Sequence, residues 1–465
     1  MRVTIRQSCA KELPVDNPEG RLSRVTAIGW ATGGFGTSIY VGATMAYLLF
    51  YLTEAHGINP AVAGLAILIP RLVDVVTDPI MGVISDRTRS RMGRRRPYLL
   101  WGALTFGVSF FLLFAMPAGM PHAVAYFVAV YLLASTAYTV FVIPHNAMGA
   151  ELTPDARERT GVIGYKMMAA RLGIIAVTVF GSYIFTRYGT LAEGFAMFGL
   201  IFGSLILVSG LTAFFATSGT TGTAPGHTGR GLGSEFRSIV HNRPLLILLC
   251  VFLLQNMAIG AGATAGIYLI TLYVQVPLEH AGMIIASVGI VAALATPFWI
   301  PIAKRFGKIV SYRVGMLIAM ASFLSILLFV GPGSLPLLLA LLMLQGVGDA
   351  VLQLAPNSMV PDTVEYAELK TGARHEGVIL GTMYATLKLG MAAGSFVTSI
   401  LLDLTGFQSG VGAAGQTPEA IEGIKLAYTI APLALWTCAF LVLRYYRLDE
   451  ASHLELRRQI LQRAN

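Results

Sequence analysis

Charge is scarce in this sequence: 12% of its 465 residues are Asp, Glu, Lys or Arg against 55% hydrophobic ones, and mean hydropathy is +0.69. Soluble globules carry roughly a quarter charged residues, so that class is excluded. Cysteine is scarcer. Cys9, Cys250 and Cys438 stand apart, without metal or disulfide spacing, and read as ordinary thiols. A clustered His/Cys/Glu set and a nucleophile elbow are both lacking, which argues against a membrane enzyme. The segment before Val25 is polar with no apolar run, so no cleavable signal peptide is expected. No polar stretch is long enough for an appended signalling domain, which argues against a sensor.

What is present is a succession of apolar runs of membrane length. Spans are predicted at Val25 to Leu52, Pro60 to Ile84, Tyr98 to Met116, His122 to Gly149, Gly161 to Thr186 and Glu193 to Ala216. After a Gly/Thr-rich break come Pro244 to Val274, Ala281 to Ala303, Ile309 to Val330, Leu335 to Val360, Gly377 to Leu404 and Ile424 to Leu443. The expected architecture is therefore an all-α integral membrane protein of twelve transmembrane helices in two pseudo-symmetric six-helix bundles. Its parts are an N-terminal segment 1–24, bundles 25–216 and 244–443, a flexible linker 217–243 and a C-terminal tail 444–465.

Of the 33 lysines and arginines, 26 fall on one side of this topology, Arg187 and Lys425 stand on the other, and Arg71, Lys166, Arg171, Arg313 and Lys388 lie within the spans. Such a bias places both termini in the cytoplasm of a multi-pass cell-membrane protein. The net charge of +9 is accounted for by topology and the anionic inner leaflet, with no need of nucleic acid.

The halves resemble each other. Pro144-His145-Asn146-Ala147-Met148 near the end of the fourth span answers Pro356-Asn357-Ser358-Met359 near the end of the tenth. Each is followed by a charged loop, then Gly-Val-Ile, then a base-Leu-Gly triplet at Arg171 and Lys388. Six-plus-six duplication is the plan of a rocking transporter with its site between the halves. Pro144 and Pro356 point to that cavity or kink the helices for packing. His145 reads as a structural residue or a proton relay, and Tyr138, Tyr165 and Tyr384 as packing or sugar-stacking residues.

Carboxylates inside a span demand partners. In Arg71-Leu72-Val73-Asp74-Val75-Val76-Thr77-Asp78-Pro79, helical spacing puts Arg71, Asp74 and Asp78 on one face with Thr77 beside them. Two carboxylates close together in low dielectric repel, so one bound cation relieves the pair. Na⁺, H⁺ and Li⁺ all fit, and a buried ion network with Arg71 and Lys388 is the structural alternative.

This stretch, followed by Gly82, resembles the second-helix motif of the glycoside-pentoside-hexuronide:cation symporters, the melibiose-permease family of the major facilitator superfamily. Pro361-Asp362-Thr363-Val364-Glu365-Tyr366-Ala367-Glu368-Leu369-Lys370-Thr371-Gly372-Ala373-Arg374 is similar to that family's loop between helices ten and eleven. A third block, Ile143-Pro144-His145-Asn146-Ala147-Met148 with Glu151-Leu152-Thr153, also matches. The resemblance implies the major facilitator fold, with a cation site on Asp74, Asp78, Thr77 and Thr139 and coupling through Arg71 and Lys388. Asp74 and Asp78 would be metal ligands only if the ion is Na⁺, and no other cofactor is implied.

The resemblance also implies a cytoplasmic gate in the loop after the second span, at Asp86, Arg87, Arg94 and Arg95, pairing charges between bundles when the inner side closes. Lys166 stands at a fifth-helix arginine near the substrate. The two carboxylates that bind sugar hydroxyls in melibiose permease appear here as Ser38 and Val142, so the solute wall differs. Candidate solute contacts are Ser38, Val142, Asn146, Lys166 and Asp349, the last either a solute contact or the partner of a base. The expected activity is symport of a glycoside, sugar or sugar acid with Na⁺ or H⁺ by a monomer in the bilayer. A lysolipid-like amphiphile or other organic solute is the rival cargo, and export by H⁺ antiport stays open.

Overall fold

The computed structural model describes residues 22–153, 155–218, 242–371, 376–446 and 448. Apart from their edges, the expected N-terminal segment, linker and C-terminal tail lie outside these, as does Arg374. The chain is helical throughout the described residues, with helices long and apolar enough to cross a membrane. We number them α1 (Arg24–Ala46), α2 (Pro60–Arg87), α3 (Arg96–Phe114), α4 (Ala123–Glu151), α5 (Ala156–Phe185) and α6 (Leu191–Ala216). The second series is α7 (Arg243–Tyr268), α8 (Leu278–Phe306), α9 (Lys308–Phe329), α10 (Leu335–Thr371), α11 (Glu376–Leu404) and α12 (Pro418–Val442).

Local chemistry sets the starts. The Asn59 carboxamide accepts from the amides of Ala61 at 3.0 Å and Val62 at 3.2 Å, with Pro60 in the first turn. Thr190 and Glu193 form a reciprocal capping box at the start of α6.

The first predicted span is bent. At Tyr47 the chain turns by 55°, then continues as Leu48–Phe50 and a π-helical turn at Tyr51–Ala55. Tyr47 is fully buried, its hydroxyl donates to the Thr178 carbonyl at 2.5 Å, and Phe185 and Phe198 meet its ring edge-on. A π turn closes α7 as well, at Leu269–Tyr273, so the first helix of each series ends in the same irregularity.

α4 runs unbroken through Pro144, and α10 through Pro356. One expectation is corrected: Pro361 to Thr371 is not a loop, since α10 runs through Pro361 and extends to Thr371. Val364 and Ala367 are buried there, and Lys308 holds the Ser358 carbonyl at 2.9 Å and the Asp362 carboxylate at 2.8 Å beside Pro361. Buried contacts and a tethering base thus offset the amide hydrogen bond that proline removes.

Within the first series α1 packs on α5 and α6, α3 on α4 and α6, and α2 on α4. Within the second α7 packs on α11 and α12, α9 on α10 and α12, and α8 on α10. The two series meet mainly along α2 with α11 and α5 with α8. Hydrogen bonds between them gather at the end carrying Asn59. There Asn59 bonds Asp403, Ser409 donates to the Ile58 carbonyl at 2.7 Å, Thr53 meets Tyr268 at 2.7 Å and Ser182 donates to the Glu279 carbonyl at 3.2 Å. The approach is close enough that a Cβ on Gly64 would strike the Ser399 hydroxyl, and one on Gly282 the Thr178 carbonyl. α4 shares no packed interface with α10 or α11 among the described residues.

Candidate functional site

α2 and α4 both run from the Asn59 end toward the arginine-rich end, so a four-residue step on one matches a four-residue step on the other. Asp74 therefore faces Ser135, and Asp78 faces Thr139. The Ser135 hydroxyl donates to Asp74 Oδ1, and the Thr139 hydroxyl donates to Asp78 Oδ1 at 2.7 Å. Asp74, Ser135 and Thr139 are each 1% exposed.

The second series contributes Lys388 from α11. Its ammonium donates to Asp78 Oδ2 at 2.5 Å and lies 3.9 Å from Asp74 Oδ2 and 5.2 Å from the Tyr138 ring centre. Arg71 approaches the other side of Asp74 Oδ2 at 3.6 Å, donates to the Thr44 hydroxyl at 3.1 Å, and packs over the rings of Tyr40 and Tyr131. Two carboxylates and two bases thus form one buried network. Asp74 Oδ2 and the hydroxyls of Tyr40 and Tyr131 are buried in it without hydrogen-bond partners, so the network has unused capacity to bind something polar.

The expected cation-site residues Asp74, Asp78 and Thr139 come together with Arg71 and Lys388. Thr77 lies beside them, but its hydroxyl turns back to the Asp74 carbonyl at 3.5 Å. Ser135 escaped the sequence reading. Its signal was the i, i+4 step to Thr139, which repeats the step from Asp74 to Asp78.

The expected solute contacts divide. Lys166 of α5 donates to the Asn146 carboxamide of α4, and its stem lies against Gly34 of α1, where a Cβ would meet it. Asp349 of α10 is half-buried, with Arg171 of α5 the charge acting on it from the other series. Val142 is 7% exposed and packs into the first series, while Ser38 is half-buried without a hydrogen-bond partner among the described residues. Tyr384 stands one turn from Lys388 and is exposed.

His145 is structural. It is fully buried, stacks on Trp30 with ring centres 4.7 Å apart, and donates from Nε2 to the Trp30 carbonyl at 2.9 Å. Trp30 Nε1 returns a bond to the His145 carbonyl at 3.2 Å.

The expected gate residues pair inside the first series. Arg95 donates to Asp86 at 3.0 Å and to Glu151 at 2.6 Å, Arg94 also reaches Glu151, and exposed Arg87 ends α2.

A membrane carrier is the class that fits: two packed six-helix series, held together at one end, with an ionic network spanning the seam midway along α2. The chain belongs to the MFS/sugar transport protein family, whose profile matches residues 29–450. It is 29% identical over 453 residues to "Uncharacterized symporter YnaJ" of Bacillus subtilis, covering 95% of both chains. With "Putative glycoside/cation symporter YagG" of Escherichia coli it shares 26% identity over 453 residues, again across 95% of each. Among solved structures a mutant form of nucleoside transporter NupG superposes with a TM-score of 0.70 at 14% identity, over 90% of this chain and 99% of that one. That likeness establishes the major facilitator fold alone.

Proposed function

We propose that this protein is a cation-coupled symporter that carries a glycoside, sugar or sugar acid across the cell membrane by alternating access. The observation that carries the reading is the network at the seam. Asp74 and Asp78 come from one series, and the ammonium that neutralises Asp78 comes from the other. Kinship with a named glycoside/cation symporter supports the same reading.

In this reading residues 25–216 and 244–443 are the two moving bodies. Both termini lie in the cytoplasm, because the arginine-rich end carries the basic loops. The described conformation is then closed outside, at the Asn59 seam, with its cavity directed inward. Asp86, Arg87, Arg94 and Arg95 await partners in the second body, and their pairing inside the first belongs to the open inner side. The working unit in this reading is the monomer.

The coupling ion, Na⁺ or H⁺, enters between Asp74 and Asp78 and displaces Lys388 from Asp78. Thr139 and Ser135 orient the carboxylates, and Arg71 keeps Asp74 from being left as an isolated charge. Solute binds beside the displaced ammonium, between Asn146 and Lys166 of the first series and Tyr384 and Asp349 of the second. Only the empty and doubly loaded carriers rock. One charge crossing about 100 mV supplies about 2.3 kcal/mol, enough for nearly fiftyfold accumulation at about 1.4 kcal/mol per tenfold.

The test is uptake into proteoliposomes by wild type and Asp74→Asn, with labelled glycosides and imposed Na⁺ or pH gradients. Gradient-driven accumulation in the wild type and its loss in the variant are expected. An Asp74→Asn carrier that still concentrates solute with its cation dependence intact refutes the mechanism.

A further inference from the structure

Three bases within the spans act on carboxylates, while Arg313 and Lys166 have none within ion-pair distance among the described residues. Arg71 and Lys388 offset Asp74 and Asp78, and Arg171 acts on Asp349. Arg313 belongs to α9, which packs within the second series. Lys166 is different. Among the described residues no carboxylate lies within ion-pair distance of it, and its partner is the neutral carboxamide of Asn146.

The donor count sharpens this. An ammonium has three N–H groups and accepts nothing, so the atom of Asn146 that faces Lys166 must be its oxygen. That leaves two N–H groups on Lys166 and both on the Asn146 amide nitrogen, none with an acceptor among the described residues. Neighbouring donors without an acceptor, one of them cationic, form a receptor for an anion. The receptor is built: Gly34 gives the Lys166 stem its seat on α1, where any side chain would push it aside. It also lies on three helices of one series, so it moves as a unit when the series rock. Lys166 is half-buried and Asn146 exposed, so an arriving anion can reach the donors of both.

We propose that the solute carries an anionic group, a carboxylate, sulfonate or phosphate, received by Lys166 and Asn146. This rests on the symport reading and narrows its cargo from sugars in general to acidic ones. A neutral glycoside would leave the ammonium uncompensated in every loaded carrier.

The test compares 4-nitrophenyl β-glucuronide with 4-nitrophenyl β-glucoside, which differ by a carboxylate against a hydroxymethyl. A third arm uses lysophosphatidate, which carries its anion on a lipid. Binding to the purified full-length protein is read by calorimetry, with and without Na⁺ at two pH values. We expect the glucuronide to bind about tenfold tighter or better than the glucoside. That preference should collapse in Lys166→Gln and survive in Lys166→Arg. If lysophosphatidate alone binds and needs Lys166, the charge inference stands and the sugar reading falls. If the glucuronide preference is present but indifferent to Na⁺ and pH, symport fails while the inference holds. Equal or tighter binding of the glucoside, a preference that persists in Lys166→Gln, or failure of every anionic probe overturns the inference.

Discussion

Replacing Lys388 with glutamine tests the competition at the heart of the proposed mechanism. The Lys388 ammonium sits 2.5 Å from Asp78 and 3.9 Å from Asp74, with the side chains of Lys388 and Asp78 only 14% and 17% exposed. Removing one partner of a buried ion pair leaves about 3–5 kcal/mol uncompensated. The partial exposure argues for the lower end, so about 3 kcal/mol of carboxylate repulsion and desolvation is released in the cation-free protein. A cation entering the variant recovers that energy, because it no longer has to expel an ammonium. At about 1.4 kcal/mol per tenfold, the half-saturating cation concentration should fall about a hundredfold. The assay is thermal unfolding of both proteins over a NaCl series held at constant ionic strength with choline chloride, repeated at two pH values. Lys388→Gln should melt earlier than wild type without cation and regain stability at far lower concentration. If Na⁺ is the ion the curve follows salt, and if H⁺ is the ion it follows pH. A half-saturating concentration unchanged in both series refutes the competition.

Other expectations concern the same helices. Ser135→Ala removes a charge-assisted bond from Asp74 worth about 1.5–3 kcal/mol. It should tighten cation binding about tenfold, an effect that should vanish in an Asp74→Asn background, measured as a double-mutant cycle. Gly64→Val should hold the Asn59 end apart, because the new side chain meets Ser399; a cysteine placed at Ser399 would then label faster from outside than in a protein with Gly64. His145→Ala should cost about 3 kcal/mol through the lost stack on Trp30, read as a lowered melting temperature with cation affinity unchanged. Burial pushes the His56 imidazole, outside the spans, down to about 4. Its unfolded form takes up protons first, so the stability it contributes is present above the ordinary histidine range and lost as pH falls toward about 4. His56→Gln should flatten that part of the stability profile.

Much of the site was legible in the sequence because carboxylates in an apolar helix have few reasons to be there. Asp74 and Asp78 announced themselves, and helical spacing placed Arg71 beside them. Thr139 and Lys388 entered through family resemblance, since nothing local says which distant helix will face Asp78. Ser135 was missed although its spacing from Thr139 repeats that of the aspartates, because serine in a span usually bonds back to its own helix. In this protein Thr77 does that and Ser135 does not. The bend at Tyr47 and the passage of α10 through Pro361 were not legible. Both depend on contacts far along the chain, Tyr47 with Thr178 and Lys308 with Asp362.

The seam at the Asn59 end closes glycine against side chain and backbone, Gly64 on Ser399 and Gly282 on Thr178. Long side chains close a gap gradually and leave crevices through which water can thread. A glycine contact is either touching or apart, and when it touches it leaves no room for a hydrated ion. In the proposed cycle such a closure would make the protein a poor conduit for stray sodium or protons. The cell's ion gradient is then drawn down only in step with cargo, and idle copies in the membrane cost it little.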